Sequence, residues 1–196
     1  MIKIPATPEG ISALKECISK KINVNSTLIF SPKQYAEVAR AYIAGGCKAE
    51  SVASVFVSRV DTAVDKILAE KNAPEFCGRV AVSGIKKIYQ DFQKIFSGFE
   101  KFQRPLWAST GTKDARYSDV KYIEELITRQ TVNTVPPKTL EAFLNHGHCE
   151  EASGFDEAVE VLRKVEDLGV NLDGIYDKLL ADGLKAFNAS FESLMN

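Results

Sequence analysis

Short apolar runs alternate along this chain with longer stretches in which apolar residues recur every three or four positions. The short runs predict β-strands, and the longer stretches predict amphipathic helices. The run SVASVFVSRV, at 51–60, is nearly continuously apolar, as expected of a strand that is covered on both faces. Strands are predicted at 1–7, 22–30, 51–60, 104–110 and 131–135.

Helix-start signals follow the strand runs. Thr7 precedes Pro8, and this pair combines an N-cap residue with a proline in the first helical position. Ser31 and Pro32 repeat the signal after the second strand, and Asp61 can cap the helix after the third. Helices are predicted at 8–21, 33–43, 62–70, 77–96, 118–128, 138–145, 155–167 and 172–194.

The order of elements, strand then helix five times over, is typical of a parallel α/β fold. The glycine-rich loops GxGxxG and GxxxxGK[ST] do not occur in the sequence, so nothing supports a dinucleotide-binding or P-loop fold. Polar residues stand at the strand ends, where (β/α) barrels have their active sites. Five strands cannot close a barrel of eight. We therefore predict one α/β domain over 1–196, a partial TIM-type (β/α) barrel of five βα units with additional C-terminal helices.

Charge and cysteine content narrow the function classes. The formal net charge of -1 gives no support for a nucleic-acid partner or a polybasic membrane contact, because both need clustered positive charge. No apolar run reaches the length of a membrane span, and the first residues lack the pattern of a signal peptide. The four cysteines form no CxxC pair, which favours reduced thiols in a cytoplasmic protein.

The segment HGHC brings His146, His148 and Cys149 close together in the sequence. A metal site would need a second cluster to complete four ligands, and the sequence offers none at suitable spacing. We therefore expect a solvated loop between two helices here, and no bound metal.

Lys3 lies inside the first apolar run, just before the strand ends at Pro5. Burial in a barrel mouth disfavours the charged ammonium, and a neutral amine can attack a sugar carbonyl to form a Schiff base. Many lysines on edge strands only keep the edge soluble. The residues alone leave both interpretations of Lys3 open.

Two further strands carry candidate polar groups. Asn25 and Thr27 are two positions apart on one strand and point to the same side, where they can bind a ligand or form a polar layer inside a barrel. Arg59 stands at the end of the third predicted strand. It can grip a phosphate, or it can form a salt bridge with Asp61 or Asp65.

Five motifs, each at a strand end, resemble those of transaldolases, in particular the bacterial type whose lysine strand reads IKIPAT. Together they cover essentially the whole chain in the family's order. The motifs are IKIPATPEG at 2–10, INVNSTLIFS at 22–31, SVASVFVSRVD at 51–61, WASTGTK at 107–113 and TVNTVPP at 131–137.

The resemblance implies a role for each of several residues. Lys3 would be the Schiff-base nucleophile, and Thr27 would hold the catalytic water. Asn25 and Ser54 would contact hydroxyl groups of the substrate. The resemblance implies sugar-phosphate substrates and no cofactor.

The resemblance also implies a phosphate site. Arg59 matches the phosphate-binding arginine of the family, and Ser109 can donate a hydrogen bond to the same phosphate. Other branches of the family place an arginine after this strand, whereas here the nearest cation is Lys113, in a different local sequence. Lys113 is therefore the candidate for the second phosphate contact.

The implied reaction moves a dihydroxyacetone unit from sedoheptulose 7-phosphate to glyceraldehyde 3-phosphate, giving erythrose 4-phosphate and fructose 6-phosphate in the pentose phosphate pathway. One alternative is a related lysine enzyme, a fructose 6-phosphate aldolase, but the long C-terminal helical segment favours transaldolase. A second alternative is a sugar-phosphate-binding remnant without catalysis.

The motifs match the family from its fourth barrel strand through its eighth. In the family, strands one to three supply an aspartate, an asparagine and the glutamate that works with a water as acid and base, and no residue here can be assigned those roles. We therefore expect this sequence to be the C-terminal part of a transaldolase, weak or inactive alone. An N-terminal complementing segment or a homo-oligomer would complete it, because the strand edges at 1–7 and 131–135 would otherwise stay unpaired.

Overall fold

A computed structural model describes residues 1–195 and shows a parallel sheet of five strands that neighbour one another in chain order. The predicted parallel α/β fold is confirmed, and its partial-barrel character agrees with the five βα units. The strands are β1 (Ile2–Pro5), β2 (Val24–Ile29), β3 (Ser51–Phe56), β4 (Arg104–Ala108) and β5 (Val132–Asn133).

Helices connect the strands and extend the chain beyond β5. A short 3-10 turn at Pro74–Phe76 separates the third and fourth helices. The helices are α1 (Pro8–Ser19), α2 (Pro32–Ala44), α3 (Ser58–Glu70), α4 (Val80–Ile95), α5 (Lys121–Glu124), α6 (Pro137–His146), α7 (Phe155–Asp167) and α8 (Leu172–Met195).

The first two strand ends are fixed by the caps that the sequence predicts. Thr7 Oγ1 accepts a hydrogen bond from a first-turn amide of α1 at 3.1 Å, and Ser31 Oγ accepts from Gln34 N, also at 3.1 Å. The Gln34 side chain accepts from Phe30 N at 2.9 Å and donates to the carbonyl of Ala6. The start of α2 is thus bonded to the carboxyl ends of both β1 and β2.

The third strand is shorter than predicted. It ends at Phe56, and α3 begins at Ser58, so the predicted cap Asp61 lies inside the helix. The apolar run misled the prediction because its last residue, Val60, is buried within α3, at helical spacing from the buried Val64. Asp61 caps a different helix, since its Oδ1 accepts from Ala81 N, in the first turn of α4, at 2.8 Å.

The region after β4 is also less regular than predicted. The expected helix at 118–128 is limited to Lys121–Glu124. The carbonyl of Leu126 accepts from the indole of Trp107 at 3.0 Å, which holds the chain after α5 against β4. The last strand, expected at 131–135, is limited to Val132–Asn133.

The outer strand β1 is less well covered than β4, which lies inside the sheet between β3 and β5. Among residues 1–195, β1 pairs with β2 alone, and Ile2 is 49% exposed. By contrast, the side chain of Trp107 on β4 is fully buried, and its indole is bonded to the carbonyl of Leu126. The long helix α8 lies over β2: a Cβ added at Gly183 would come within 2.8 Å of Leu28. Over the described residues, no helix is long and apolar enough to cross a membrane.

Candidate active site

Four of the predicted site residues share one face of β1–β3. Lys3 and Asn25 are register partners on neighbouring strands, and their side chains therefore point to the same side. Ser54 Oγ donates a hydrogen bond to Asn25 Oδ1 at 2.7 Å, which links β3 to the same face. Thr27 lies two residues beyond Asn25. The structure thus gathers the lysine, the amide and two hydroxyl groups that the sequence singled out.

The backbone is distorted at Thr27. The register between β2 and β3 shifts between Ser26 and Ile29, and Leu28 adopts a φ of 60°, which is unusual for a bulky residue. Such strain is often kept where it orients a functional group. Thr27 is fully buried, and its Oγ1 has no hydrogen-bond partner in the described part of the chain.

Lys3 is exposed, unlike its neighbours on β2 and β3. Its Nζ lies 5.6 Å from the centroid of the Phe187 ring on α8, a cation–π contact. Over residues 1–195, no salt bridge or hydrogen bond joins Lys3 to a carboxylate. Enclosure of the amine, which Schiff-base chemistry favours, is therefore not provided by these residues alone.

Arg59 and Lys113 line a second part of the site, a cleft of about 600 Å³ between α3 and α8. The guanidinium of Arg59 lies 5.2 Å from the centroid of the Phe56 ring. The predicted alternative, a salt bridge to Asp61 or Asp65, is not found among residues 1–195, since no ion pair of Arg59 occurs there. The cleft is also lined by Lys66 and by Lys178, which forms an ion pair with Asp182 at 2.5 Å.

Ser109 connects α3 to the loop that carries Lys113. Its hydroxyl lies 2.9 Å from that of Ser58, the first residue of α3. Ser109 has a φ of 60° directly after β4, so the chain turns sharply at the carboxyl end of this strand. The three residues predicted to contact phosphate, Arg59, Ser109 and Lys113, thus lie on two adjoining segments.

Sequence reasoning missed a buried hydrogen-bond network beneath this loop. Asp61 Oδ2 accepts from the Tyr122 hydroxyl at 2.8 Å, and Asp65 Oδ2 accepts from the Tyr117 hydroxyl at 2.6 Å. Burial raises the pKa of Asp61 to about 6, against the lowering effect of its two hydrogen bonds. The available signal was the spacing of two aspartates, four residues apart, on the buried side of an apolar helix.

The HGHC segment forms polar contacts on the surface. His146 Nε2 lies 2.9 Å from Asp119 Oδ1, and both side chains are exposed. The backbone amide of His148 donates to Glu124 at 2.8 Å. Within residues 1–195, no group of three or more histidine, cysteine, aspartate or glutamate side chains is arranged to hold a metal ion.

Comparisons with known proteins agree with the motifs. The family model for Transaldolase/Fructose-6-phosphate aldolase matches residues 1–196. Among curated proteins, the chain is 40% identical to Transaldolase 1 of Streptomyces coelicolor over 221 residues, and 38% identical to the transaldolase of Trichodesmium erythraeum over 232 residues. It is also 40% identical to Transaldolase 2 of Nostoc sp. over 233 residues.

These matches cover all of this chain but only part of each relative. The covered share is 58% of the Streptomyces coelicolor protein, 60% of the Trichodesmium erythraeum protein and 61% of the Nostoc protein. The chain therefore spans about three fifths of the length of the curated relatives that it matches.

Proposed function

This chain belongs to the transaldolase/fructose-6-phosphate aldolase family, and on that premise we propose that it carries the Schiff-base and phosphate-binding parts of a transaldolase. The proposed reaction transfers a dihydroxyacetone unit from sedoheptulose 7-phosphate to glyceraldehyde 3-phosphate. The observation that carries the proposal is the shared face of Lys3, Asn25 and Ser54, fixed by strand register and a hydrogen bond of 2.7 Å.

Lys3 performs the covalent chemistry in this proposal. Its neutral amine attacks the ketose carbonyl, and loss of water leaves an iminium ion. The iminium accepts the electron pair released when the carbon–carbon bond of the sugar breaks, and the first aldose product leaves. The resulting enamine attacks the aldehyde of the acceptor, and water then hydrolyses the new iminium to release the ketose and free Lys3.

The neighbours of Lys3 bind the dihydroxyacetone unit and a water molecule. Asn25 and Ser54 offer an amide and a hydroxyl on the same face as the amine, and both contact hydroxyl groups of this unit. The buried Thr27 hydroxyl, which has no hydrogen-bond partner in the described residues, supports its role in holding the water. None of these steps requires a metal or a cofactor.

Arg59, Ser109 and Lys113 bind the substrate phosphate in the proposed enzyme. A guanidinium can donate two parallel hydrogen bonds to phosphate oxygens, and an ammonium adds a second positive charge. The cleft lined by Arg59 and Lys113 supports this role, as does the absence of an ion pair at Arg59 within residues 1–195.

We further propose that the five strands correspond to strands four to eight of a closed barrel and that another polypeptide segment, or a second copy of this chain, must complete the site. The open side of β1 and the exposure of Lys3 support this proposal. A separate segment would supply the acid–base carboxylate that Lys3 lacks here, whereas a second copy of this chain would only cover the open edge of β1. The four cysteines are free, which is consistent with a cytoplasmic setting.

The proposal is tested by trapping the Schiff base. The chain is incubated with fructose 6-phosphate and borohydride, and peptide mass spectrometry identifies any modified lysine. An adduct on Lys3 is expected, whereas a folded Lys3→Arg variant should give none, because arginine keeps the charge but cannot form the imine. An adduct spread over many surface lysines, or none on Lys3, would reject the proposed nucleophile.

Turnover assays separate the remaining candidates. Transaldolase activity of the chain alone should be very weak and should require an aldehyde acceptor, whereas an aldolase would cleave fructose 6-phosphate without one. The exposure of Lys3, together with a separate cleft lined by Arg59 and Lys113, favours a second candidate, a sugar-phosphate-binding protein without catalysis. Phosphate binding without any adduct on Lys3 would favour that candidate.

A further inference from the structure

We propose that Asp61 and Asp65 are positioning residues which hold the loop 109–120 against α3 and thereby set the spacing of Arg59 and Lys113 for phosphate. The inference deepens the proposed function and rests on its phosphate site. Neither aspartate touches the substrate in this proposal. Both act through the tyrosines that they bind.

The two carboxylates join three elements at once. Asp61 accepts from Ala81 N and from the Tyr122 hydroxyl, each at 2.8 Å, and Asp65 accepts from Gly78 N at 2.9 Å. One oxygen of each carboxylate thus accepts from a backbone amide in or just before the first turn of α4, and the other oxygen accepts from a tyrosine that follows β4. Because both aspartates and Arg59 lie on α3, the loop is fastened to the helix that carries the arginine.

Lys113 lies between two anchors of this loop. On one side, Thr110 Oγ1 donates to Asn133 Oδ1 at 3.0 Å. On the other side, the Tyr117 hydroxyl donates to Asp65 Oδ2 at 2.6 Å. Loss of the second anchor would leave Lys113 tethered from one direction only.

The ring of Tyr117 is held as well as its hydroxyl. The guanidinium of Arg116 and the ammonium of Lys121 lie 5.8 and 5.7 Å from its centroid. Arg116 in turn forms a two-pronged ion pair with Asp114, next to Lys113 in the sequence. A chain of contacts thus leads from the buried Asp65 through Tyr117 and Arg116 to Asp114, the residue next to Lys113.

The same conclusion follows from the shape of the surface. A cleft of about 440 Å³ is lined by Asp61, Asp65 and both tyrosines. It shares Thr62, Lys66 and Lys113 with the larger cleft that contains Arg59. A displacement of the loop would therefore alter the wall of the phosphate cleft directly.

The test measures binding of inorganic phosphate to the full chain by isothermal titration calorimetry. Tyr117→Phe removes the hydroxyl that reaches Asp65 but leaves the cap on α4 intact. We expect the dissociation constant for phosphate to rise about fivefold to tenfold, since one hydrogen bond to a buried carboxylate is lost. Amide hydrogen exchange over 111–117 should become faster in the same variant.

Tyr42→Phe is the matched control. It also removes a buried tyrosine hydroxyl, one on α2 that donates to the carbonyl of Ala49 at 3.0 Å and makes no hydrogen bond to the loop or to α3 within residues 1–195. Phosphate affinity should be unchanged in this control at a temperature where both variants are fully folded. An equal loss of affinity in both variants would show a general effect of destabilisation and would overturn the inference.

Arg59→Met separates failure of this inference from failure of the proposed function. If Arg59→Met leaves phosphate binding unchanged, or if the unaltered chain binds no phosphate, the phosphate site itself is wrong and the inference falls with it. If Arg59→Met abolishes binding while Tyr117→Phe leaves both affinity and amide exchange unchanged, the phosphate site stands and the positioning role is refuted.

Discussion

The two halves of the candidate site are built in different ways. Lys3 is exposed on an outer strand, and its ammonium lies over the Phe187 ring of α8. Arg59 and Lys113, by contrast, stand on segments tied together by buried groups, and Asp61 beneath them is 1% exposed. The phosphate half of the site, Arg59 and Lys113, is therefore held in place by buried groups of this chain. The lysine half, Lys3 on β1, has a neighbouring strand on one side only within the described part of the chain.

This difference shows that one part of a fold can supply the reactive side chains while another part supplies the enclosure that makes them reactive. The amine, the amide and the hydroxyl groups follow from the local sequence of β1–β3. The enclosure that would make an amine nucleophilic depends on what closes the outer side of β1. If stability is concentrated in the segments that carry Arg59 and Lys113, substitutions that disturb them should cost more than substitutions on β1.

Trp107→Ala should have the largest effect. The indole is fully buried, and its Nε1 donates to the carbonyl of Leu126 at 3.0 Å. Its loss would lower the free energy of unfolding by about 4 kcal/mol, through a large cavity and the loss of one buried hydrogen bond. Urea unfolding followed by circular dichroism measures this change.

Ile2→Ala is the counterpart on the outer strand. Ile2 is 49% exposed, so its truncation should change the free energy of unfolding by less than about 1 kcal/mol. Similar losses in the two variants would contradict the contrast between a consolidated β4 and an open β1.

Asp61 should make stability depend on pH. Its pKa is raised from an ordinary 3.8 to about 6 in the folded chain, mainly by burial. The folded state thus binds the proton more tightly than the unfolded state, and this contribution is complete below about pH 4 and is lost as pH rises through about 6. The loss is on the order of 3 kcal/mol.

The measurement compares the unaltered chain with Asp61→Asn, which cannot titrate at this position. Urea unfolding at several pH values between about 4 and about 7 should show the unaltered chain losing stability relative to the variant as pH rises. Parallel pH profiles for the two proteins would mean that the carboxyl titrates near its ordinary pKa and is not strongly desolvated.

Tyr122→Phe should have a moderate effect. The substitution leaves Asp61 Oδ2 without its hydroxyl donor in a buried site, which should cost about 2 kcal/mol of unfolding free energy. Tyr35→Phe is the matched control, because the Tyr35 hydroxyl is buried with no hydrogen-bond partner among residues 1–195. Its removal should be neutral or slightly stabilising, and a loss equal to that of Tyr122→Phe would contradict this assignment.

Strand order and most helices could be predicted from sequence because each rests on a local signal. Thr7 and Ser31 cap α1 and α2 as their proline-following positions predict. The end of β3 could not be predicted, because the apolar run extends past the strand to Val60, which is buried within α3. A continuous apolar run does not distinguish a buried strand from a buried helix.

Some residues of the candidate site could likewise be predicted from local sequence, and others could not. Asn25 and Ser54 could be assigned to one face from alternation within strands, combined with the resemblance to the family. The spacing of Asp61 and Asp65 indicates that both carboxylates lie on one side of a helix, but their tyrosine partners could not be foreseen, since Tyr122 is 61 residues from Asp61 and meets it only after packing. Sequence spacing carries no direct information on such contacts.

The smallest effect is expected at the contact between Lys3 and Phe187. Phe187 is 38% exposed, and a cation–π contact at an exposed site contributes about 0.5–1 kcal/mol. Phe187→Leu keeps apolar bulk but removes the aromatic face, so the amine should become freer to react. Borohydride trapping with fructose 6-phosphate should then proceed up to about fivefold faster, in proportion to the attraction removed.

Phe191→Leu is the control for this last prediction. Phe191 lies one helical turn farther along α8 and is 64% exposed, so its replacement should leave the trapping rate unchanged. Equal rates in all three proteins would mean that α8 does not restrain the amine. A faster rate in Phe187→Leu alone would identify α8 as the element that restrains Lys3 in this chain. The reactivity of Lys3 would then depend on a single weak contact, whereas the positions of Arg59 and Lys113 depend on a buried hydrogen-bond network.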